Sequence, residues 1–257
     1  MRKSSQRLVS LSYARVEAGN YSVGNDTIPK AGPRHQIHVD EFWIDAIAVS
    51  LGHVELFIAS GAYFDNRWWG DSPQSGRAFL ERGSIDQRCA DISRMSAKIA
   101  KQIYPRARSS NEIPAVGLTW MEAAAVCRFF GARLPFEAEW EVAMQINGSQ
   151  KPINSSSPKQ RRSRWGCELH LGWLEEWTAG AFTTRHWRGT TATEFASADA
   201  EFGVCVRGST QNSLFTHAAY RASADPIVAN EFRAFRRVWS SPPTPAQLTS
   251  DFEKGRQ

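Results

Sequence analysis

Histidine and carboxylate side chains in the second half of the chain could serve as metal ligands. His170, His186 and His217, together with Glu168, offer the nitrogen and oxygen donors that transition metals accept. Nothing in their spacing requires the four side chains to converge. In addition, a histidine in a polar loop is usually solvated. The sequence therefore leaves a transition-metal site open without predicting one.

The four cysteines, Cys89, Cys127, Cys167 and Cys205, lie far apart and form no CxxC pair. A zinc site is therefore not predicted. We interpret Cys127 as part of an apolar helix face and Cys205 as a small buried residue on a strand. Reduced thiols are typical of the cytoplasm, and the N-terminal residues contain no apolar run that would indicate a signal peptide, so we expect a cytoplasmic protein.

Length and composition favour one folded domain. The chain has 257 residues, 42% of them hydrophobic, and a formal net charge of +5. Arginines are spread along the sequence without a nucleic-acid-binding motif, which argues against nucleic acid as a partner. No segment approaches the roughly 20 apolar residues of a membrane span. We expect a single domain over 1–239 with a flexible basic loop at 147–164, followed by a polar, poorly ordered C-terminal tail at 240–257.

Hydrophobic periodicity predicts strands first and helices afterwards. Apolar and polar residues alternate over 15–24 and 33–45, which indicates strands. Helical spacing follows over 49–59, with Ser50 as a plausible N-cap, and over 84–104, which opens on a capping-box pattern.

The segment Pro114–Met144 predicts two helices joined by a tight turn. Thr119 and Glu122 have the spacing of a capping box. Gly131 stands where the end of a helix favours a left-handed residue. Three acidic residues should complement the positive N-terminal end of the second helix: Glu137, Glu139 and Glu141.

The same segment, PAVGLTWMEAAAVCRFFGARLPFEAEWEVA, resembles the core motif of the sulfatase-modifying-factor family, which includes the formylglycine-generating enzymes. Three further blocks resemble this family in the same order: RVEAGNYSVGN, PRHQIHVDEFWID with the helix after it, and the closing segments GCELHLGWLEEWTAG and VRGSTQNSLFTHAAYR. The resemblance implies an α+β fold, the formylglycine-generating-enzyme-like variant of the C-type lectin fold. Short irregular strands, two to three helices and long aromatic-rich loops are expected.

The resemblance does not extend to the catalytic cysteines of the family. Formylglycine-generating enzymes carry a reactive cysteine pair just before the "YR" motif, and its thiolates bind copper and activate oxygen. The corresponding interval here, Ser209–Ala219, contains no cysteine. The two positions correspond to Asn212 and His217 when counted back from Tyr220-Arg221, and to Ser213 and Ala218 when counted forward from Arg207.

A second departure concerns calcium. The family's "LGNVWEW" motif supplies an asparagine oxygen near a structural Ca²⁺, an ion that binds several oxygen ligands. The matching residues here begin Gly172-Trp173-Leu174, so that oxygen is lost, although Glu175 and Glu176 could compensate. Bound Ca²⁺ is therefore left open, as is a transition metal.

We expect a diverged family member that acts as a ligand- or protein-binding module without formylglycine-generating activity. Core motifs are kept while the thiolates, the asparagine and one glycine of the "RGG" motif are missing, which favours a fold retained for its surface. The ligand would be a protein or a small molecule in an aromatic groove. The predicted groove residues are Trp68, Trp69, Trp173, Glu175, Trp177, Asn212, His217 and Arg221.

The alternative is an enzyme of the same fold. The resemblance extends to cysteine-independent oxidoreductases that act in natural-product or siderophore maturation. Under this hypothesis His217, Tyr220 and Arg221, with Glu175 or Glu176, supply acid/base or metal-ligand groups.

Overall fold

The computed structural model describes residues 13–28, 30–70, 84–146, 162–182, 203–208 and 217–248. These segments form an α+β fold whose five α-helices exceed the two to three that we expected. The helices are α1 (Leu51–Ala59), α2 (Ile85–Ile103), α3 (Trp120–Phe129), α4 (Glu137–Ala143) and α5 (Pro245–Leu248). The strands are β1 (Tyr13–Val16), β2 (Gly19–Val23), β3 (His35–Val39), β4 (Phe42–Asp45), β5 (Glu175–Ala181), β6 (Val204–Gly208), β7 (Arg221–Ala224), β8 (Arg233–Ala234) and β9 (Val238–Trp239).

The alternating segments near the N-terminus form strands, as predicted. β2 pairs with β3 as an antiparallel hairpin, and β4 lies between β1 and β9 in a second sheet. The apolar residues of the alternation face the core, and Val16, Ile37 and Ile44 are fully buried. Period-two patterning thus decides which face of each strand is covered.

The predicted helices α1 and α2 also form, with different N-terminal caps. Ser84 accepts a hydrogen bond from the backbone N–H of Gln87, as a cap should. Ser50 stands at the predicted N-cap of α1, but its hydroxyl bonds the ring of His53 at 2.7 Å instead of capping a backbone N–H.

Helices α3 and α4 reproduce the predicted hairpin closely. Glu122 Oε2 accepts from the backbone N–H of Thr119 at 2.8 Å, and the Thr119 hydroxyl accepts from the N–H of Glu122 at 3.2 Å. Gly131 ends the turn at φ +65°, a left-handed conformation that glycine adopts without steric cost. The capping-box prediction is therefore confirmed in both of its bonds.

The acidic residues of α4 lie partly where the sequence predicts them and also have a role that it does not predict. Glu137 and Glu139 occupy the first turn, and Glu139 accepts the backbone N–H of Phe136 at 2.7 Å, whereas Glu141 lies beyond that turn. All three are buried, with exposed fractions of 1–4%. Each carboxylate lies against an arginine: Glu139 bonds Arg133, and the other two bind arginines of the C-terminal sheet. Burial makes these ion pairs part of the core rather than of the surface.

A four-stranded sheet with the order β7-β6-β5-β8 carries the residues of greatest interest. β6 runs antiparallel to both β5 and β7, whereas β8 pairs with β5 in parallel. This sheet packs on α4, so the acidic face of that helix meets the arginines of β6 and β7.

The start of the C-terminal tail folds against the core, which differs from the poor order that we expected from residue 240 onward. His53 Nε2 lies 3.2 Å from the carbonyl oxygen of Leu248, and Arg237 donates to the carbonyl of Gln247 at 2.9 Å. The predicted basic loop lies outside the described residues except for 162–164, where Ser163 and Arg164 hydrogen-bond Cys167 and Gln145. Among the described helices none has the length and apolar character needed to cross a bilayer.

Candidate functional site

Two arginines face each other at the ends of β6 and β7 and share one carboxylate. Arg207 pairs with Arg221 in the strand register, and Glu137 lies 2.8 Å from the guanidinium nitrogens of both. All three side chains are buried, with exposed fractions of 0–1%. Burial alone would raise the pKa of Glu137, but Arg207 and Arg221 together hold it below its usual value. The carboxylate is therefore charged and offsets the repulsion between the facing arginines.

A second carboxylate completes this group of charges. Glu141 lies 2.9 Å from Arg207 Nη1 and accepts the backbone N–H of Gly24 at 2.8 Å. Burial raises the pKa of Glu141, and the negative charge of Glu137 raises it further, although Arg207 acts in the opposite direction. Arg207 also donates to the carbonyl of Ala218 at 3.1 Å. We call Glu137, Glu141, Arg207 and Arg221 the charge clamp, since it fixes both strand ends that border residues 209–219.

On β5, the neighbouring strand, a second row of polar side chains crosses the sheet. Glu175 bonds Arg233 at 2.8 Å on one side and pairs in register with Gly208 on the other. Tyr220 stands one step beyond the last β6–β7 pair, next to Gly208. Gly208 has φ +79°, and a Cβ there would lie 2.7 Å from the carbonyl oxygen of Leu174, so glycine is required.

Tyr220 and Glu175 interact electrostatically across this glycine. Burial and the Glu175 carboxylate raise the pKa of Tyr220, which keeps its phenol protonated. Both residues are half-buried, and they were predicted at the site from sequence. The structure therefore brings Tyr220 and Glu175 to one edge of the sheet.

His217 lies in the turn that leads into β7. Its Nδ1 accepts the backbone N–H of Ala219 at 2.9 Å, and its carbonyl accepts the N–H of Tyr220 at 3.0 Å. Burial, with the positive charge of Arg207, lowers the pKa of His217. The ring is half-buried and neutral at pH 7.

Glu176 belongs to the core rather than to an acid/base site. It is 1% exposed and bonds Arg236 at 2.8 Å, and His170 Nδ1 lies 3.2 Å away. Burial opposes ionisation, but Arg236 and His170 lower the pKa of Glu176 to about 2. The hydroxyl of Tyr104 extends the network, at 2.5 Å from Glu168 and 2.6 Å from the Nε2 of His170. A permanently charged, enclosed carboxylate cannot exchange protons with a ligand in the groove.

The predicted aromatic groove is not present as one exposed surface. Trp69 and Trp177 are core residues, 6% and 0% exposed, and each indole N–H donates to a backbone carbonyl. Trp68 is half-buried against an aromatic cluster of α1 and α3, whereas Trp173 packs in a separate apolar cluster. Asn212 lies outside the described residues. Arg221 is likewise enclosed in the charge clamp. Glu175 and His217 of the predicted groove are half-buried near the acid/base candidate Tyr220, whereas the half-buried Trp68 and Trp173 pack in separate clusters.

All four cysteines are protonated thiols in this fold. Burial raises the pKa of Cys205, and the nearby Glu137 carboxylate raises it further. Burial also raises the pKa of the other three thiols, Cys89, Cys127 and Cys167. Cys205 is fully buried on β6, as the sequence predicts. Because the thiolate is the form that attacks substrates and binds metals, none of these cysteines is activated.

The donor groups do not fit the metals that the family resemblance implies. Copper held by two thiolates would need activated cysteines, and Ser209–Ala219 offers none. Calcium would need free carboxylates, but Glu175 and Glu176 are ion-paired with arginines. In the part of the chain that the structure describes, no three His, Cys, Asp or Glu residues converge as metal ligands, and His186 lies outside it.

Comparison with known proteins agrees with this fold. The profile of the Sulfatase-modifying factor enzyme 1-like domain matches residues 3–166, which is more than half of the chain. The chain belongs to this family. Membership confirms the resemblance drawn from the sequence blocks.

Curated relatives of this family member differ in their named activities. The formylglycine-generating enzyme of Bos taurus is 28% identical over 146 residues, covering 50% of this chain and 38% of that protein. The hercynine oxygenase of Mycolicibacterium smegmatis is 28% identical over 209 residues, covering 68% of this chain and 46% of that protein. That of Mycobacterium tuberculosis is 29% identical over 136 residues, covering 53% and 29%. The chain thus spans less than half the length of these relatives.

Two solved structures share the fold over nearly their whole length. PvdO from Pseudomonas aeruginosa superposes with a TM-score of 0.57 at 15% identity, covering 88% of this chain and 93% of that protein. Treponema denticola variable protein 1 gives 0.56 at 12% identity, covering 89% and 95%. At these identities the likeness concerns the fold alone.

The charge clamp was not predicted as a unit. From the sequence, Glu137 and Glu141 were expected to interact with the positive end of their helix. Arg207 was used only as a reference position for locating the cysteine pair. A signal was present, because Arg207 follows a run of apolar strand residues in VCVRG, and Glu137 and Glu141 lie four positions apart, on one face of a short helix. Charges inside apolar patterns indicate buried ion pairs.

Proposed function

We propose that this family member binds a ligand or protein partner at the edge formed by Glu175, His217 and Tyr220, without formylglycine-generating chemistry. The observation that carries the proposal is the state of the cysteines. Burial raises the pKa of all four thiols, and the interval that holds the reactive pair in formylglycine-generating enzymes has none. Without a thiolate, the family's oxidation of a substrate cysteine has no nucleophile or copper ligand.

The charge clamp supports a binding role for the same edge. Arg207 and Arg221 hold both borders of the interval, and Arg207 also fixes the carbonyl of Ala218. His217 and Tyr220 are therefore attached to a rigid frame although they lie at the surface edge of the sheet. Preorganised polar groups lose little conformational entropy when a ligand binds.

A peptide with a sulfatase-type cysteine motif tests this proposal. The protein would be incubated with the peptide, Cu(I), oxygen and a thiol reductant, beside an active formylglycine-generating enzyme as the positive control. We expect the peptide cysteine to remain unmodified here while the control converts it to the aldehyde. Aldehyde formation above the background without protein would refute the proposal.

A cysteine-independent oxygenase is the second candidate, and the curated relatives favour it. The hercynine oxygenase of Mycolicibacterium smegmatis aligns over 68% of this chain, more than the formylglycine-generating enzyme does. Under this proposal His217 and Tyr220 would orient a substrate or hold a proton beside it. The described residues do not present a set of three metal ligands for such a reaction.

Metal content separates the two candidates. Purified protein would be measured by elemental analysis as isolated, then again after incubation with Fe(II) and removal of unbound metal. We expect less than one tenth of an equivalent of iron or copper. Stoichiometric metal that survives dialysis and is lost in His217→Ala would favour the oxygenase.

A further inference from the structure

A buried group of charged side chains lies between the end of α2 and the start of β5. It contains two carboxylates, Glu168 and Glu176, together with Arg236 and His170, and their exposed fractions are 0–6%. Arg236 binds Glu176 at 2.8 Å, and the ring of His170 lies 3.8 Å from Glu168 and 3.2 Å from Glu176. The phenol of Tyr104, at the C-cap of α2, completes the group. The charge of the His170 ring therefore decides whether the group is electrically balanced.

The hydroxyl of Tyr104 fixes the proton on one ring nitrogen. It lies 2.5 Å from Glu168 Oε1 and 2.6 Å from His170 Nε2, and it has a single proton to donate. A carboxylate can only accept, so the hydroxyl donates to Glu168 and accepts from the ring. Nε2 of His170 therefore carries a proton.

The contacts of Arg236 indicate that Nδ1 carries a proton as well. Arg236 Nη2 has two N–H bonds, and its shorter contacts are to the carbonyl of Glu168 at 2.5 Å and to Glu176 Oε1 at 3.0 Å. His170 Nδ1 is a third neighbour of Nη2, at 3.3 Å, and as an acceptor it would have to share one of these N–H bonds. Glu176 Oε1 lies closer to Nδ1, at 3.2 Å, and needs a donor there. A proton on Nδ1 satisfies this contact.

A count of charges leads independently to the same state. Among the described residues, the two carboxylates form ion pairs only with His170 and Arg236. The other neighbours do not change the count, because Trp140 contributes a neutral N–H and burial raises the pKa of the Cys167 thiol. A neutral ring would leave one buried negative charge without compensation, which is strongly unfavourable. A doubly protonated ring balances two anions with two cations.

The backbone of His170 connects this group to the candidate binding edge. Its carbonyl accepts the N–H of Trp173 at 2.9 Å and that of Leu174 at 3.0 Å, which closes a turn directly before β5. The carbonyl of Leu174 lies against Gly208, and the next residue, Glu175, pairs with Gly208 in the strand register. The position of Glu175 thus depends on a turn that begins at the buried ring.

We infer that His170 is a positively charged positioning residue, whose doubly protonated ring anchors the turn 170–174 and so holds Glu175 at the binding edge. Both ring nitrogens are donors, which leaves no lone pair for a metal ion. His170 acts on a ligand only through Glu175. The role of Glu175 rests on the proposed function, whereas the charge of the ring does not.

The ring nitrogens report this charge directly. Nitrogen-15 NMR spectra of the full chain at pH 7 distinguish a ring with two protonated nitrogens from one with a single protonated nitrogen, and the signals are assigned by their loss in His170→Gln. We expect two protonated nitrogens. One protonated and one bare nitrogen would overturn the inference.

Substitution of Glu168 in two backgrounds tests the charge balance. Glu168→Gln keeps an oxygen acceptor for Tyr104 but removes one negative charge. Alone, it should raise the equilibrium constant of unfolding about tenfold, because a buried cation loses its partner; in His170→Gln it should lower that constant about tenfold. Urea denaturation measures both changes. A change of the same sign in both backgrounds would overturn the inference.

A surface variant and the edge itself complete the test. Glu41→Gln, which removes the exposed ion pair with Arg15, should have little effect in either background. The backbone amide signals of Glu175 and Gly208 should shift in His170→Gln and return towards their original positions when Glu168→Gln is added. Amide signals that do not move would overturn the positioning role.

Failure of this inference is distinct from failure of the proposed function. Oxidation of the test peptide would refute the proposed function whatever the charge of the ring. A bare ring nitrogen with an unmodified peptide would refute this inference alone.

Discussion

Arg207 and Arg221 lie opposite each other on β6 and β7, fully buried, with the carboxylate of Glu137 2.8 Å from both guanidinium groups. Two like charges in register would separate the strands at the point where the site begins. The single carboxylate from α4 joins them instead. The frame of the site thus depends on a contact between residues that are 70 and 84 positions apart in the chain (207 − 137 and 221 − 137).

Removing this shared charge should destabilise the fold. We expect Glu137→Gln to lower the free energy of unfolding by about 3–5 kcal/mol, because two buried arginines lose their common counter-charge. Urea denaturation followed by tryptophan fluorescence measures the change. Glu41→Gln, which removes an ion pair at the surface with Arg15, is the control and should change stability little. Similar stabilities of the two variants would contradict the buried clamp.

The adjacent tryptophans Trp68 and Trp69 should respond differently to substitution. Trp69 is 6% exposed and donates to the carbonyl of Tyr63 at 3.0 Å, so Trp69→Ala should cost about 3–5 kcal/mol. Trp68 is half-buried, and Trp68→Ala should cost clearly less. Thermal melting of both variants decides the point, and an equal or inverted order would show that Trp69 is not a core residue.

The hairpin could be predicted from sequence, but which charged residues pair with each other in the clamp could not. Thr119 and Glu122 form a local capping pattern that needs no information from the rest of the chain, and Gly131 ends the helix by its own backbone preference. The clamp depends on which strand meets α4, which local spacing does not encode. For the same reason Trp69 and Trp177 were assigned to a groove, although both are enclosed by elements distant in sequence.

Acid should weaken the fold through His53. Burial, with the charge of Arg237, lowers the pKa of His53 to about 4 in the folded state, against about 6.5 unfolded. Above pH 6.5 both states are neutral and this residue adds no pH dependence. As the pH falls from 6.5 to 4 only the unfolded chain binds the proton, so stability falls by about 3 kcal/mol, and below pH 4 the effect levels off.

Denaturation midpoints at pH 7, 5 and 4 measure this contribution. His53→Gln should have a smaller loss of stability between pH 7 and pH 4 than the unmodified protein, whatever its stability at pH 7. His38→Gln replaces an exposed histidine and should leave the loss unchanged. Identical pH profiles for His53→Gln and the unmodified chain would contradict a neutral, buried His53.

The central claim is that this family member contains no activated thiol, and pH-dependent alkylation tests it most directly. The native protein would be treated with iodoacetamide from pH 6 to pH 10, and each of the four cysteines followed by peptide mass spectrometry. We predict no labelling of Cys127, Cys167 and Cys205 below pH 9 and slow labelling of the half-exposed Cys89, with all four reacting after denaturation. Rapid labelling of any cysteine at pH 7, with a rate that does not fall until the pH is well below 8, would reveal a thiolate and contradict the account.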